Sequence, residues 1–175
     1  MSAPAGMGKT KLAQAIVKRR AEEFVGRKGD RLCLLVSSRG RRLSNINDVI
    51  AGTLGDLRAP VFHHEIPPLV RTGLVDLIID GFDELVDADG YNGAWESVGH
   101  LLTQIGSGGL VLLSARDAFF SDQDFVARAR KETTSQFQFS FLELQPLTEA
   151  EIRHLLLACK VCLLYTSPSP RDRTR

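Results

Sequence analysis

The sequence predicts an α/β fold, a three-layer αβα sandwich built on a mostly parallel sheet. Three observations predict it. Short apolar runs recur at Leu32–Val36, Leu74–Ile79 and Leu110–Leu113, each continuous enough for a strand buried on both faces. Segments with helical spacing lie before and between them, at Lys9–Phe24, Leu43–Leu54 and Ala94–Ile105. Strands that alternate with helices in this way are joined by crossovers, which places helices on both faces of the sheet.

The elements follow in order. In Lys9–Phe24, Leu12, Ala13, Ile16 and Val17 form one apolar face, and Lys18, Arg19, Glu22 and Glu23 a solvated one. Gly26–Asp30 is a turn. Ser44 is the expected cap of the second helix, whose Ile46, Val49 and Ile50 share a face. Pro60, Pro67 and Pro68 are expected to break up the next stretch. The run from Leu74 ends at Asp80. Trp95, on the Ala94–Ile105 helix, is assigned to the core or to a domain contact. Ser121–Lys131 is read as helix, and Phe137–Leu144, alternating around Phe139 and Phe141, as a strand. Thr148-Glu-Ala-Glu151 is a capping box that opens a helix running to Leu157.

The bulk numbers exclude more than they identify. The chain has 175 residues, 43% of them hydrophobic and 25% charged, with a formal net charge of +1. That is one ordinary globular domain. It carries no global field that would recruit nucleic acid or a membrane surface, and neither is an expected partner. No apolar run approaches the ~20 residues of a membrane helix. Residues 1–10 lack the apolar core of a secretory signal. Three unevenly spaced cysteines make no disulfide framework, so the cytoplasm is the expected location.

The chemistry begins at residue 3. Residues 3–10 read Ala-Pro-Ala-Gly-Met-Gly-Lys-Thr. They match the phosphate-loop pattern G-x-x-x-x-G-K-[ST] at Gly8, Lys9 and Thr10 and depart from it at Ala3. Ala5, Gly6, Met7, Gly8, Lys9, Thr10 and Lys11 are the expected nucleotide-binding stretch. Gly6 and Gly8 let the backbone turn and aim N–H groups at phosphate oxygens. The helix that follows adds its positive end. Lys9 is expected on the β- and γ-phosphates and the Thr10 hydroxyl on Mg²⁺. A glycine-rich turn ahead of a helix is the plainer alternative.

A second motif weighs against that alternative. Leu77-Ile-Ile-Asp80-Gly-Phe-Asp83-Glu84 is an apolar strand ending in acid. Asp80 is expected to hold Mg²⁺ through water, since hard Mg²⁺ takes few protein oxygens and keeps several waters. Asp83 and Glu84 are both candidates to orient an attacking water.

The spelling Asp80-Gly-Phe-Asp-Glu84 resembles the Walker B segment of NACHT ATPases, members of the STAND class of signal-transduction ATPases. Leu110-Val-Leu-Leu-Ser-Ala-Arg116 resembles their sensor 1 segment, and the resemblance implies that Arg116 reports on the γ-phosphate. Leu142–Ile152 resembles the strand–Pro–helix exit from the NACHT core. The likeness covers about residues 2–160. It implies a nucleotide switch: ADP holds a closed monomer, and exchange for ATP opens it and permits self-association through the full-length protein. Two rivals stand beside it, an AAA-type remodelling ATPase and a binding module that holds nucleotide without turning it over. Gly81 directly after Asp80 argues against the first. Nothing in these motifs separates ATP from GTP.

The ends are read separately. A phosphate loop normally follows a buried strand. Only Met1 and Ser2 precede Ala3, so that strand is expected to be missing and the gene to continue upstream. Cys162–Asp172 resembles a translated transposase-type sequencing adapter, and residues 162–175 are read as a non-native tail. The resulting division is 1–147 for the nucleotide-binding core, 148–161 for the start of a helical domain, and 162–175 for the tail. His63-His64-Glu65 is read as loop, the acids Asp87 and Asp89 as an incomplete calcium loop, and Arg39, Arg41 and Arg42 as a solvated cluster.

Overall fold

The computed structural model describes residues 1–37, 46–85, 91–122 and 138–158. Ser44, the Arg39–Arg42 cluster, the Asp87–Gly90 segment, most of the Ser121–Lys131 helix and the 162–175 tail lie outside them. Residues 1–144 form one compact unit and the chain from Gln145 onward a second.

Three parallel strands, β1 (Leu32–Ser37), β2 (Val75–Asp80) and β3 (Val111–Leu113), form a sheet in the order β1-β2-β3. β1 and β2 run in register from Leu32 opposite Val75 to Ser37 opposite Asp80. Helix α1 (Lys9–Val25) precedes β1; α2 (Ile46–Asp56) and α3 (Ile66–Arg71) separate β1 from β2; α4 (Phe82–Leu85) and α5 (Tyr91–Ile105) separate β2 from β3; α6 (Asp117–Asp122) follows. This is the expected α/β architecture. No helix among the described residues is long and apolar enough to cross a membrane.

Ahead of the phosphate loop, Met1 and Ser2 pair on both sides. Ser2 makes parallel bridges to Ala115 on one side and Glu143 on the other. The Met1 carbonyl accepts from the Ala115 N–H at 3.1 Å, and Ser2 exchanges bonds with Leu142 and Leu144 at 2.8 and 2.9 Å. The expected Phe137–Leu144 strand is therefore reduced, within the described residues, to the single bridge at Glu143. Its ladder partner is Ser2 alone, and one residue does not sustain a strand.

A second difference concerns the prolines. Pro67 and Pro68 do not interrupt structure; they start α3. Their missing N–H groups fall in the first turn, where no intrahelical acceptor exists, and their fixed φ suits a helix start.

β2 is buried on both faces, and its pleat sorts the residues. Leu77 and Ile79 join the main core with Leu34 and Val36 of β1, Val49 and Ile50 of α2, Val70 of α3, and Leu101 and Ile105 of α5. Asp76, Ile78 and Asp80 share the opposite face, towards α1. Asp80 meets Thr10 at the helix start, and Asp76 meets Arg20 near its end, at 4.0 Å. Two buried carboxylates thus hold both ends of α1 on one strand. Arg31 approaches Asp76 at 3.8 Å, while Asp76 Oδ1 has no hydrogen-bond partner.

Cys33 lies opposite Asp76 in register and is a free thiol. Burial, reinforced by the Asp76 carboxylate and opposed by Arg20, pushes its pKa up to about 11. Thiolate is the reactive form, so at pH 8 folding lowers its fraction roughly a hundredfold relative to an ordinary cysteine at 9.0. Iodoacetamide at pH 8 is expected to alkylate Cys33 that much more slowly in folded than in urea-unfolded chain, read on its own peptide by mass spectrometry. Equal rates would refute a half-buried thiol beside an acid.

In the second unit the sequence-predicted capping box forms at the start of α7 (Glu149–Ala158). The Thr148 N–H and hydroxyl both donate to Glu151 Oε2 at 2.7 Å, and the Glu151 N–H returns to the Thr148 hydroxyl at 3.3 Å. Those bonds to the charged form lower the Glu151 pKa. Their contribution is present above the ordinary glutamate range and is lost as pH falls through the lowered value.

Candidate functional site

The loop before α1 is shaped by glycine conformation rather than by space. Gly6 has φ +80° and Gly8 φ +88°, and a Cβ on either would meet nothing within 4 Å. Only the left-handed backbone demands glycine there. Gly8 leads directly into α1, which has no side-chain cap and no acid in its first turn. Its leading N–H groups and its dipole therefore remain directed at whatever anion sits in the loop. Lys9 folds back over the loop, and its Nζ donates to the Ala3 carbonyl at 2.6 Å and the Pro4 carbonyl at 3.0 Å. Ala3, the departure from the loop pattern, is fully buried, so its methyl group is packed in the interior.

The Asp80 carboxylate, at the end of β2, is 5% exposed. Its Oδ2 accepts a hydrogen bond from the Thr10 hydroxyl at 2.6 Å, which joins the two motifs across 70 residues of chain. Its Oδ1 accepts from the Ser114 hydroxyl. Gly81, at φ +70°, then turns the chain away from the strand. The small residue after Asp80 is thus a backbone requirement, since β-carbon-bearing residues avoid this region. The turn carries Asp83 and Glu84 to Arg116. The Arg116 Nε lies 3.2 Å from Asp83 Oδ2, and one terminal nitrogen lies 3.4 Å from Glu84 Oε1.

One cleft of ≈ 290 Å³ collects these groups. It is lined by the whole loop from Ala5 to Lys11 and by Asp80, Gly81, Asp83, Glu84 and Arg116. Every candidate residue named from the sequence borders it. Ser114, read from the sequence within the Ser-x-Arg strand end without a role of its own, is fully buried beneath the cleft. Its only signal was a hydroxyl at the end of an apolar strand, two positions before Arg116. His63-His64-Glu65 is a short 3₁₀ turn, with the Glu65 carboxylate occupied by the Phe62 N–H at 2.8 Å.

The donor set suits Mg²⁺. Thr10 and Asp80 converge two hard oxygens on one point, while no cluster of three His, Cys, Asp or Glu side chains fit for a metal occurs among the described residues. An all-protein cage is therefore absent from those residues, and Mg²⁺ does not need one, because it retains waters and takes the rest of its shell from phosphates.

Comparison with known proteins agrees with this fold. Among solved structures, that of the Aeropyrum pernix ORC1 protein in complex with DNA is similar, with a TM-score of 0.50 and 17% sequence identity over 90% of this chain. Such identity shows a shared fold and no more. The chain spans 41% of that ORC1 chain. No curated protein matches it. The NACHT domain profile matches residues 2–160, nearly the full length, and the chain therefore belongs to the NACHT family of P-loop nucleotide-binding domains.

Proposed function

We propose that this domain binds ATP and ADP with Mg²⁺, hydrolyses ATP slowly, and serves as the nucleotide switch of a larger cytoplasmic signalling or defence protein of the STAND class. The observation that carries the reading is the Thr10–Asp80 hydrogen bond. It closes two distant motifs on one cleft in which cationic, acidic and backbone N–H groups converge. In this reading the loop N–H groups and Lys9 bind the phosphates, and Thr10 and Asp80 hold Mg²⁺. Bound there, Mg²⁺ supplies charge neutralisation to the β- and γ-phosphate oxygens. Asp83 or Glu84 orients the attacking water, and Arg116 reads the γ-phosphate with its two-pronged guanidinium.

One observation favours a second reading, nucleotide binding without turnover. Both candidate catalytic acids are paired with Arg116. A carboxylate oxygen held by a guanidinium is occupied and must leave that pair before it can orient a water. Single-turnover hydrolysis with Asp83→Asn and Glu84→Gln separates the two readings, since a loss in either variant requires that turnover exists. Self-association belongs to the full-length protein. A DNA partner, as in the ORC1 complex, is not part of the proposal, because a net charge of +1 gives little of the phosphate-backbone attraction on which such binding rests.

The direct test is binding of fluorescent ATP and ADP by wild type and Lys9→Ala. A charge-assisted hydrogen bond is worth about 1.5–3 kcal/mol, so Lys9→Ala is expected to weaken binding about 10- to 100-fold. Equal binding by the two proteins would remove the phosphate-loop assignment.

A further inference from the structure

We propose that Ser114 is the positioning residue of the Asp80 carboxylate, and that its hydroxyl sets the affinity of the site for the divalent cation. The proposal rests on the Mg²⁺-nucleotide reading of the cleft and adds a residue to it.

Four hydrogen bonds of one residue shape the end of β2. The Ser114 N–H donates to the Ile79 carbonyl at 2.9 Å, which continues the β2–β3 ladder by one step. The Ser114 carbonyl accepts from the Phe82 N–H at 2.8 Å, beyond the turn. Between them, the Ser114 hydroxyl donates to Asp80 Oδ1 and accepts from the Gly81 N–H at 3.2 Å. The hydroxyl has one proton to give, and Asp80 receives it.

The consequence falls on the other oxygen. A carboxylate rotates about its Cα–Cβ and Cβ–Cγ bonds unless both oxygens are held. Ser114 holds Oδ1 from below, where the residue is fully buried, and leaves Oδ2 directed at Thr10 and the cleft. The two backbone–backbone bonds would survive the loss of the hydroxyl; the bond from the Gly81 N–H and the aim of the carboxylate would not. Groups that hydrogen-bond a metal-binding carboxylate orient it and tune its basicity, and their loss typically costs about 10- to 100-fold in metal affinity.

The test separates cation affinity from nucleotide affinity. Binding of a fluorescent ADP is measured in EDTA, and Mn²⁺ binding to the protein–ADP complex by electron paramagnetic resonance. Wild type, Ser114→Ala and Ser114→Cys are compared, each with a thermal melt. Cysteine keeps the size of the side chain but donates poorly, so it carries the comparison if the alanine variant does not fold. The expected result is unchanged ADP affinity in EDTA and Mn²⁺ affinity about 10- to 100-fold weaker in both variants. Wild-type Mn²⁺ affinity in either folded variant overturns the proposal. So does a parallel loss of stability and of ADP affinity in EDTA, which marks a merely structural serine. If wild type binds ADP but no Mn²⁺, the cation reading of the cleft and this proposal both fall. If it binds no ADP at all, the nucleotide reading itself falls.

Discussion

Replacing Asp80 by asparagine is expected to reduce Mg²⁺-dependent ATP hydrolysis by about a thousandfold or more. A bound cation is worth several kcal/mol of transition-state stabilisation, and each 1.36 kcal/mol is a factor of ten. The substitution keeps the size and removes the charge. It also replaces one acceptor oxygen by a donating NH2 group, against the Thr10 and Ser114 hydroxyls that now donate to the carboxylate. One amide oxygen can still accept from one hydroxyl, and the amide nitrogen then faces the other. In the proposed reading, phosphate is bound by Lys9 and the loop N–H groups and not by Asp80, so nucleotide affinity in EDTA is expected to stay near wild type. Single-turnover hydrolysis and EDTA binding on the same preparation check both halves. Hydrolysis within tenfold of wild type would show that Asp80 does not hold the cation.

The second large effect is on stability. Phe82 is fully buried directly after the Gly81 turn and meets the Phe119 ring edge to face, with centroids 5.5 Å apart. Phe82→Ala is expected to cost about 3–5 kcal/mol, including the cavity it leaves. Domains are stable by only about 5–15 kcal/mol, so a large part of the total is lost. At this chain length the melting temperature should fall by roughly 10 °C. The same change loosens the segment that carries Asp83 and Glu84, so hydrolysis should decline even below the new melting point. An unfolding free energy from urea titration within about 1 kcal/mol of wild type, at ~25 °C, would contradict the packing of this turn.

The two substitutions lie two residues apart and act through different physics, one on charge and one on packing. That proximity explains why the strand end was legible early. Apolar residues running into acid, with a glycine between, leave few alternatives for a chain that must bury β2 on both faces. Gly81 needed its left-handed φ, and the spelling after Asp80 already showed a residue able to adopt it.

By itself the sequence determined the alternation of helices and strands, the phosphate loop, the acidic strand end and the capping box at Thr148. All of these are local. Period, glycine placement and cap chemistry act over a few residues and are written in order along the chain. The tertiary structure alone decided which of those pieces meet. It pairs Thr10 with Asp80 and puts Ser114 beneath the carboxylate. It sets Arg116 against both candidate acids and turns Asp76 towards Arg20. It also corrected two expectations: Pro67 and Pro68 begin a helix, and the alternating run near Phe139 and Phe141 gains, among its described residues, only a bridge at Glu143. A strand's pattern states which face it can bury, but a strand exists only where a neighbour offers a ladder. Likewise a serine hydroxyl has no assigned partner in one dimension. Its role is set by the single acceptor that folding brings within hydrogen-bonding reach.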